Sequence, residues 1–109
     1  MTMEELAAML QEMGMPFAYD HFAEGESPEP PFICYLLPGS DNFAADGRVY
    51  FKINEVRVEV YTDRNDLSVE SKVEAVLDDR GIFYNKSEVW IQSEKLYEVL
   101  YSFEIPMDD

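Results

Sequence analysis

Apolar residues recur along the chain at two different periods, and the switches between them mark its elements. Over residues 2–13, Leu6, Met9, Leu10 and Met13 fall three to four positions apart, on one face of a helix. Thr2 followed three residues later by Glu5 forms a capping-box start, while Gly14 and Pro16 supply the stop. The spacing predicts a first helix over 2–13. "FAYD" at 17–20 predicts a short strand. "FICYLL" at 32–37 is apolar at every position, the pattern of a central strand covered on both faces. Pro38-Gly39 ends it, and "GSDNFAADG" reads as a loop closed by the turn pair Asp46-Gly47.

The stretch 49–62 breaks its own alternation. Val49, Phe51 and Ile53 share one face, whereas Val56, Val58 and Val60 continue the set shifted by one residue. A single regular strand would send the second set to the wrong face. A β-bulge or bend near Asn54-Glu55 restores the register, and two shorter strands are the alternative.

Beyond "TDRNDLS", with Ser68 or Asp66 as N-cap, Val69, Val73, Val76 and Leu77 form the apolar face of a second helix that Gly81 ends. "IFYN" and "EVWIQ" supply strand material, "SEK" a turn, and "LYEVLYSFEI" an alternating strand with Tyr97, Val99, Tyr101, Phe103 and Ile105 on one face. Residues 106–109 read as a loose tail. The order is α-β-β-β-α-β-β. It predicts one α+β domain over 1–109, a mostly antiparallel sheet packed by two helices.

Charge narrows the function classes. Among 109 residues, 8 Lys and Arg face 23 Asp and Glu, a formal net charge of −15. Such a surface repels phosphate at long range, which argues against direct nucleic-acid or anionic-membrane binding. Three readings remain: a surface past which DNA slides, a surface that imitates DNA, or plain solubility. Cys34 is the only cysteine, within an apolar run, and reads as a small buried hydrophobe. The start of the chain lacks a signal-peptide pattern and no segment is long enough to cross a bilayer, which points to the cytoplasm.

No catalytic set assembles. His21 is the only imidazole, and neither a nucleophile elbow, a phosphate loop nor a dinucleotide glycine motif is present. The expectation is a non-enzymatic protein without cofactor or metal. His21 beside Asp20 and Glu24 is a weak ligand set. "DRNDL" starts like a calcium loop, but Leu67 falls at the third ligand position and no turn glycine follows. Trp90 alternates with Val89 and Ile91; with those two facing the core, it faces outward as a candidate interface anchor.

The runs "YDHFAEGESPEPPFICYL", "DNFAADG" and "KVEAVLDDRGIFYNKSEVWIQSEKLYEVLYSFEI" resemble small proteins from the structural gene clusters of prophages of Gram-positive bacteria. The resemblance spans about 4–105. That family looks like a head–tail joining or tail completion (tail terminator) protein of long-tailed phages. What the resemblance implies is a small α+β ring-former, a hexamer that caps the tail tube and meets the head connector. Its partners would be itself, the tail tube protein and the connector, with DNA passing through unbound. Its place would be the virion, after assembly from the host cytoplasm. Under this reading the loops 20–32 and 42–47 are contact loops, their prolines lowering the ordering cost of binding. The candidate interface residues are Asp20, His21, Phe22, Pro30, Phe43, Asp46 and Trp90. The rival is an acidic DNA-mimic inhibitor of a host nucleic-acid-binding protein, which needs carboxylates spaced along one outer face.

Overall fold

The computed structural model describes residues 1–23, 25–40, 43–45, 48–51 and 53–107, with side chains outside 40–52. The elements run α1 (Met3–Glu12), β1 (Phe17–Tyr19), β2 (Phe32–Ser40), β3 (Phe43–Ala45), β4 (Arg48–Phe51), β5 (Ile53–Thr62), α2 (Leu67–Asp79), β6 (Asn85–Ile91) and β7 (Leu96–Pro106). The α+β architecture expected from the pattern is present: a five-stranded sheet in the order β1-β2-β5-β7-β6, antiparallel except for the β1–β2 pair.

The helices begin as their sequences dictate. The Thr2 hydroxyl accepts from the Glu5 backbone N–H at 3.1 Å while Glu5 Oε1 accepts from the Thr2 N–H at 3.2 Å, a reciprocal cap. Of the two candidate caps for α2, it is Asp66 whose carboxylate accepts from the Ser68 and Val69 N–H groups. Gly14 and Gly81 follow the helices at φ 77° and 68°, where a side chain is strained.

Both helices cover one face of the sheet. Leu6, Met9, Leu10 and Met13 of α1 and Val69, Val73 and Leu77 of α2 join a single core. The sheet contributes Ile33 and Tyr35 from β2, Val56, Val58 and Val60 from β5, and Val99, Tyr101, Phe103 and Ile105 from β7. The alternate positions of these strands line the opposite face, which no helix covers.

Several expectations need correction. β2 does not end at Pro38-Gly39 but runs to Ser40, pairing Gly39 with Glu55 and Ser40 with Asn54. Between Leu36 and Gly39, two residues of β2, Leu37 and Pro38, oppose the single residue Val56 of β5, so the extra residue sits at Leu37-Pro38, where a bulge tolerates proline. No bulge occurs at Asn54-Glu55, since the β5–β7 ladder is unbroken from Ile53↔Pro106 to Thr62↔Tyr97. The phase shift arises because β4 and β5 are separate strands in separate sheets, as the alternative had it. "GSDNFAADG" is not all loop: β3 pairs with β4 in a two-stranded sheet of their own. The turn pair Asp46-Gly47 lies outside the described residues. β2 is buried on both faces over Phe32–Tyr35, yet it is second from the edge and β5 is central. Of "IFYN", only Asn85 enters β6. The expected loose tail starts later, since Pro106 closes the β7 ladder and Met107 is 6% exposed within the core. The radius of gyration, 15.0 Å, exceeds the ~13 Å of a compact domain near this length, as expected with a hairpin outside the two layers.

Candidate interface surfaces

The loop between β1 and β2 folds over the edge of the uncovered sheet face. It is anchored where the Asp20 N–H donates to the Tyr35 carbonyl at 2.7 Å, with Asp20 at φ 64°, a conformation aspartate tolerates better than most residues. The Phe22 ring meets Phe32 edge-on at 5.6 Å, and Phe32 stacks on Tyr61 at 5.2 Å. Beneath this aromatic row lies Cys34, 6% exposed, whose thiol is pushed up to about 11 by burial first and then by the charges of Glu59 and Asp20. It is therefore a protonated, shielded thiol rather than a nucleophile. Native protein is expected to react with a disulfide reagent at pH 8 far more slowly than unfolded protein. Phe22→Ser is expected to raise the native rate at least tenfold; an unchanged rate would show that the ring does not shield the sulfur.

Next along the same face, the Tyr61 hydroxyl lies 3.2 Å from Glu59 Oε1 and 3.1 Å from Glu98 Oε2. One hydroxyl proton serves one carboxylate at a time. Burial, and then the neighbouring Glu98 charge, raise the Glu59 carboxyl above its ordinary value despite the Tyr61 hydrogen bond and Arg57 at 3.9 Å. A raised carboxyl contributes stability that is present below its unfolded value, about 4.3, and lost as pH rises through the folded value. Glu59→Gln is therefore expected to stabilise the fold at pH 7, by about 0.5–1 kcal/mol, and to leave it unchanged at pH 4; urea midpoints at the two pH values check this.

β6 is the far edge of the sheet and is exposed over Asn85–Trp90. Its register, Trp90↔Tyr97 and Glu88↔Val99, places Trp90 on the helix-covered side and Val89 on the open side, the reverse of the expectation that Val89 and Ile91 face the core. Trp90 is nonetheless 41% exposed, stacked at 4.7 Å on Tyr97, with its indole N–H donating to Gln92 Oε1 at 2.8 Å.

Inward from Trp90, Lys86 ties β6 to α2. Its Nζ lies 2.6 Å from Glu70 Oε1 and 2.9 Å from Glu74 Oε2, and the Tyr101 and Tyr84 hydroxyls donate to Glu74 at 2.8 and 3.3 Å. Burial pushes the Glu74 carboxyl up, but hydrogen bonds from Lys86 and Tyr101 outweigh it and the net shift is downward. The Lys86 amine is raised by the same contacts.

The remaining feature is a groove of about 720 Å³ where β7 outruns β6. The β6–β7 ladder stops at Asn85↔Ser102, while β7 continues to Pro106. Ile82, Phe83, Glu55 and Glu104 are among the residues lining it, and Phe83 is 86% exposed.

The candidate contact residues do not form one patch. Asp20 and His21 sit together at the β1–β2 edge, with Nδ1 of His21 3.1 Å from Asp20 Oδ2 and both side chains exposed. Phe22 is half-buried on Phe32, and Pro30 is half-buried in the same loop. Trp90 lies at the opposite edge of the sheet. Phe43 belongs to β3, and Asp46 lies outside the described residues. The groove, Phe83 and the exposed length of β6 were not anticipated from sequence. Among the described residues, no group of three or more His, Cys, Asp or Glu is arranged to hold a metal ion. No described helix is long and apolar enough to cross a membrane.

No protein-family profile and no curated protein matches the sequence. Among solved structures, the chain is similar to a chain in the virion of a native gene transfer agent particle. The TM-score is 0.56 at 12% identity, and the alignment covers 92% of this chain and 84% of that one. At that identity the likeness is one of fold, and it extends over nearly all of both chains.

Proposed function

We propose that this chain is a virion structural protein acting at a head–tail junction, as a tail terminator or tail completion ring. The observation that carries the reading is the fold likeness to a virion chain over 92% of the sequence. The sequence resemblance to prophage tail completion proteins supports the head–tail junction as its place in the particle. A ring of this kind, a hexamer in the family it resembles, works by binding: copies of itself, a tail tube protein and a connector. It needs no catalytic set. An acidic lining lets DNA pass without adhering.

The charge distribution gives the DNA-mimic reading no support. Glu4, Glu5, Glu12, Asp78 and Asp79 are exposed on the helix layer, while Glu55 and Glu104 lie on the opposite sheet face. Glu70 is 6% exposed and, like Glu74, is held by Lys86 rather than displayed. A phosphate imitation requires one continuous outer row.

Electron microscopy of particles from an induced prophage lacking the gene tests the proposal. Filled heads detached from tails of abnormal length are expected. Normal infectious particles would remove the role.

A further inference from the structure

We propose that copies of this chain join edge to edge, β6 of one pairing antiparallel with β1 of the next, so that their sheets run on as one. This rests on the ring-forming role above and names the strands that close the ring.

Exposure marks the two edges. Five large apolar side chains are exposed among the described residues. Tyr19, 51% exposed, ends β1, while Phe83, Val89 and Trp90 lie just before or on β6; only Leu67 lies elsewhere. β1 and β6 are the two outer strands of the five-stranded sheet. An edge strand is commonly guarded by proline, a bulge or an outward lysine. β6 contains no proline and its ladder with β7 has no bulge. Its one lysine, Lys86, is drawn to Glu70 and Glu74 of α2.

The main chain of β1 offers a matching edge. The Pro16 carbonyl accepts from the Ile33 N–H at 2.8 Å, and the Asp20 N–H donates to the Tyr35 carbonyl at 2.7 Å. Main-chain groups alternate in direction along a strand, so those of Phe17 and Tyr19 turn away from β2. The Tyr19 carbonyl accepts locally from the His21 N–H at 2.7 Å. The two N–H groups and the Phe17 carbonyl point outward as a template for a new strand.

Direction and face select a second copy as the occupant. β1 runs parallel to β2, and three antiparallel steps through β5 and β7 leave β6 running opposite to both. A copy rotated about an axis along the strands therefore brings its β1 beside β6 in antiparallel sense, with the helices of both copies on the same side of the joined sheet. Tyr19 pairs with Tyr35 and Trp90 with Tyr97, which puts both on the helix side. Ala18 pairs with Cys34 and Val89 with Glu98, which puts both on the open side. A register with Ala18 opposite Val89 sets Phe17 opposite Trp90 and Tyr19 opposite Glu88. The exposed indole then meets an aromatic ring, a stabilising cross-strand pair. A contact between two different surfaces of one chain is heterologous, and a closing rotation turns it into a ring. Pairing of β6 with itself would instead close a dimer and stop.

Cysteine cross-linking of the full-length chain tests the contact, in purified protein and in assembled particles. In a C34S background, A18C/V89C is expected to yield a ladder of disulfide-linked multimers on a non-reducing gel. The two positions lie on opposite edges of one chain, about 19 Å apart by four strand spacings, beyond the reach of a disulfide within the chain. A18C and V89C alone are expected to give little cross-linked product. In sedimentation velocity, Y19D and V89D are each expected to weaken association by about tenfold or more without changing the circular dichroism spectrum. Mixing these two yields dimers that grow no further, since only β6 of Y19D and β1 of V89D are intact. No ladder in either setting overturns the proposal. So does a V89C product as abundant as that of the double variant, which would set β6 against β6. Detached heads on gene deletion together with no ladder would leave the junction role standing and remove only this contact.

Discussion

Replacing Lys86 with alanine is expected to lower the unfolding free energy by about 2–3 kcal/mol, making it one of the most damaging single changes outside the apolar core. Glu70 is 6% exposed, and its Oε2 has no hydrogen-bond partner even in the intact protein. Its other oxygen depends on Lys86 at 2.6 Å. Removing one member of such a set leaves a carboxylate buried and uncompensated, which costs several kcal/mol when burial is complete. Lys86 itself is 37% exposed, so water replaces part of what it supplies and the figure falls to about 2–3 kcal/mol. In a domain of this length that corresponds to a fall in Tm of roughly 10–20 °C. K86M combined with E70L, which removes charge and counter-charge together, is expected to recover most of the loss, since a well-packed apolar replacement of a buried pair is often neutral. Thermal unfolding of the three proteins decides it. A K86A Tm within a few degrees of wild type would mean that the network is solvated and carries little.

The same cluster sets an acid limit. The Glu74 carboxyl is lowered on balance by Lys86 and Tyr101. A lowered carboxyl contributes stability that is present above its unfolded value, about 4.3, and lost as pH falls through the lower folded value. Glu59, raised instead, runs the other way. Two glutamates in one sheet-and-helix frame therefore pull the pH profile in opposite directions. The reason is local: one faces an ammonium group and two phenols, the other faces a second carboxylate.

What was legible in the sequence follows from which forces are local. The α1 cap needs only Thr2 and Glu5, and its apolar face needs only its own periodicity, so both were readable. The alternation of β7 likewise announced Val99, Tyr101, Phe103 and Ile105 as a core face. The anomaly at 49–60 was visible as a phase shift, but its cause was not. A bulge and a strand break displace the pattern identically, and only partners distant in sequence distinguish them. The actual bulge sits on β2 at Leu37-Pro38, where proline and glycine read as a stop. The β3–β4 hairpin was hidden because its first strand is three residues long within turn-forming sequence.

The interface surfaces were less legible still. The groove exists because β7 extends four residues past the start of β6, a length mismatch that appears only once the register is known. Glu55 and Glu104 are 49 positions apart, and nothing in either neighbourhood pairs them. Trp90 is 41% exposed, but its register places it on the helix side of the sheet rather than on the open side. Phe83 looked like strand material and is instead a bare ring in the α2–β6 connection.

Leu6→Ala is expected to cost about 2–5 kcal/mol, a large share of the 5–15 kcal/mol typical of a domain. Leu6 is 0% exposed at the first turn of α1, within a core shared by both helices and β2, β5 and β7. Its loss removes transfer free energy and leaves a cavity in a layer where Met9, Leu10 and Val58 are also fully buried. Methionine is the most deformable of these neighbours, so Met9 and Met13 collapsing into the space would hold the cost toward the lower end. Leu67→Ala is the matched control. It is the same chemical change, on a side chain 71% exposed at the first position of α2, and is expected to stay within about 0.5 kcal/mol of wild type. Urea unfolding of both variants measures the contrast. Because neither side chain lies in the β1–β2 loop or on a sheet-edge strand, their assembly at temperatures where each is folded should equal wild type. A Leu6→Ala protein that is folded yet assembles poorly would show that α1 packing reaches the contact surfaces, and the division of labour between a helix-covered core and sheet-edge interfaces would have to be redrawn.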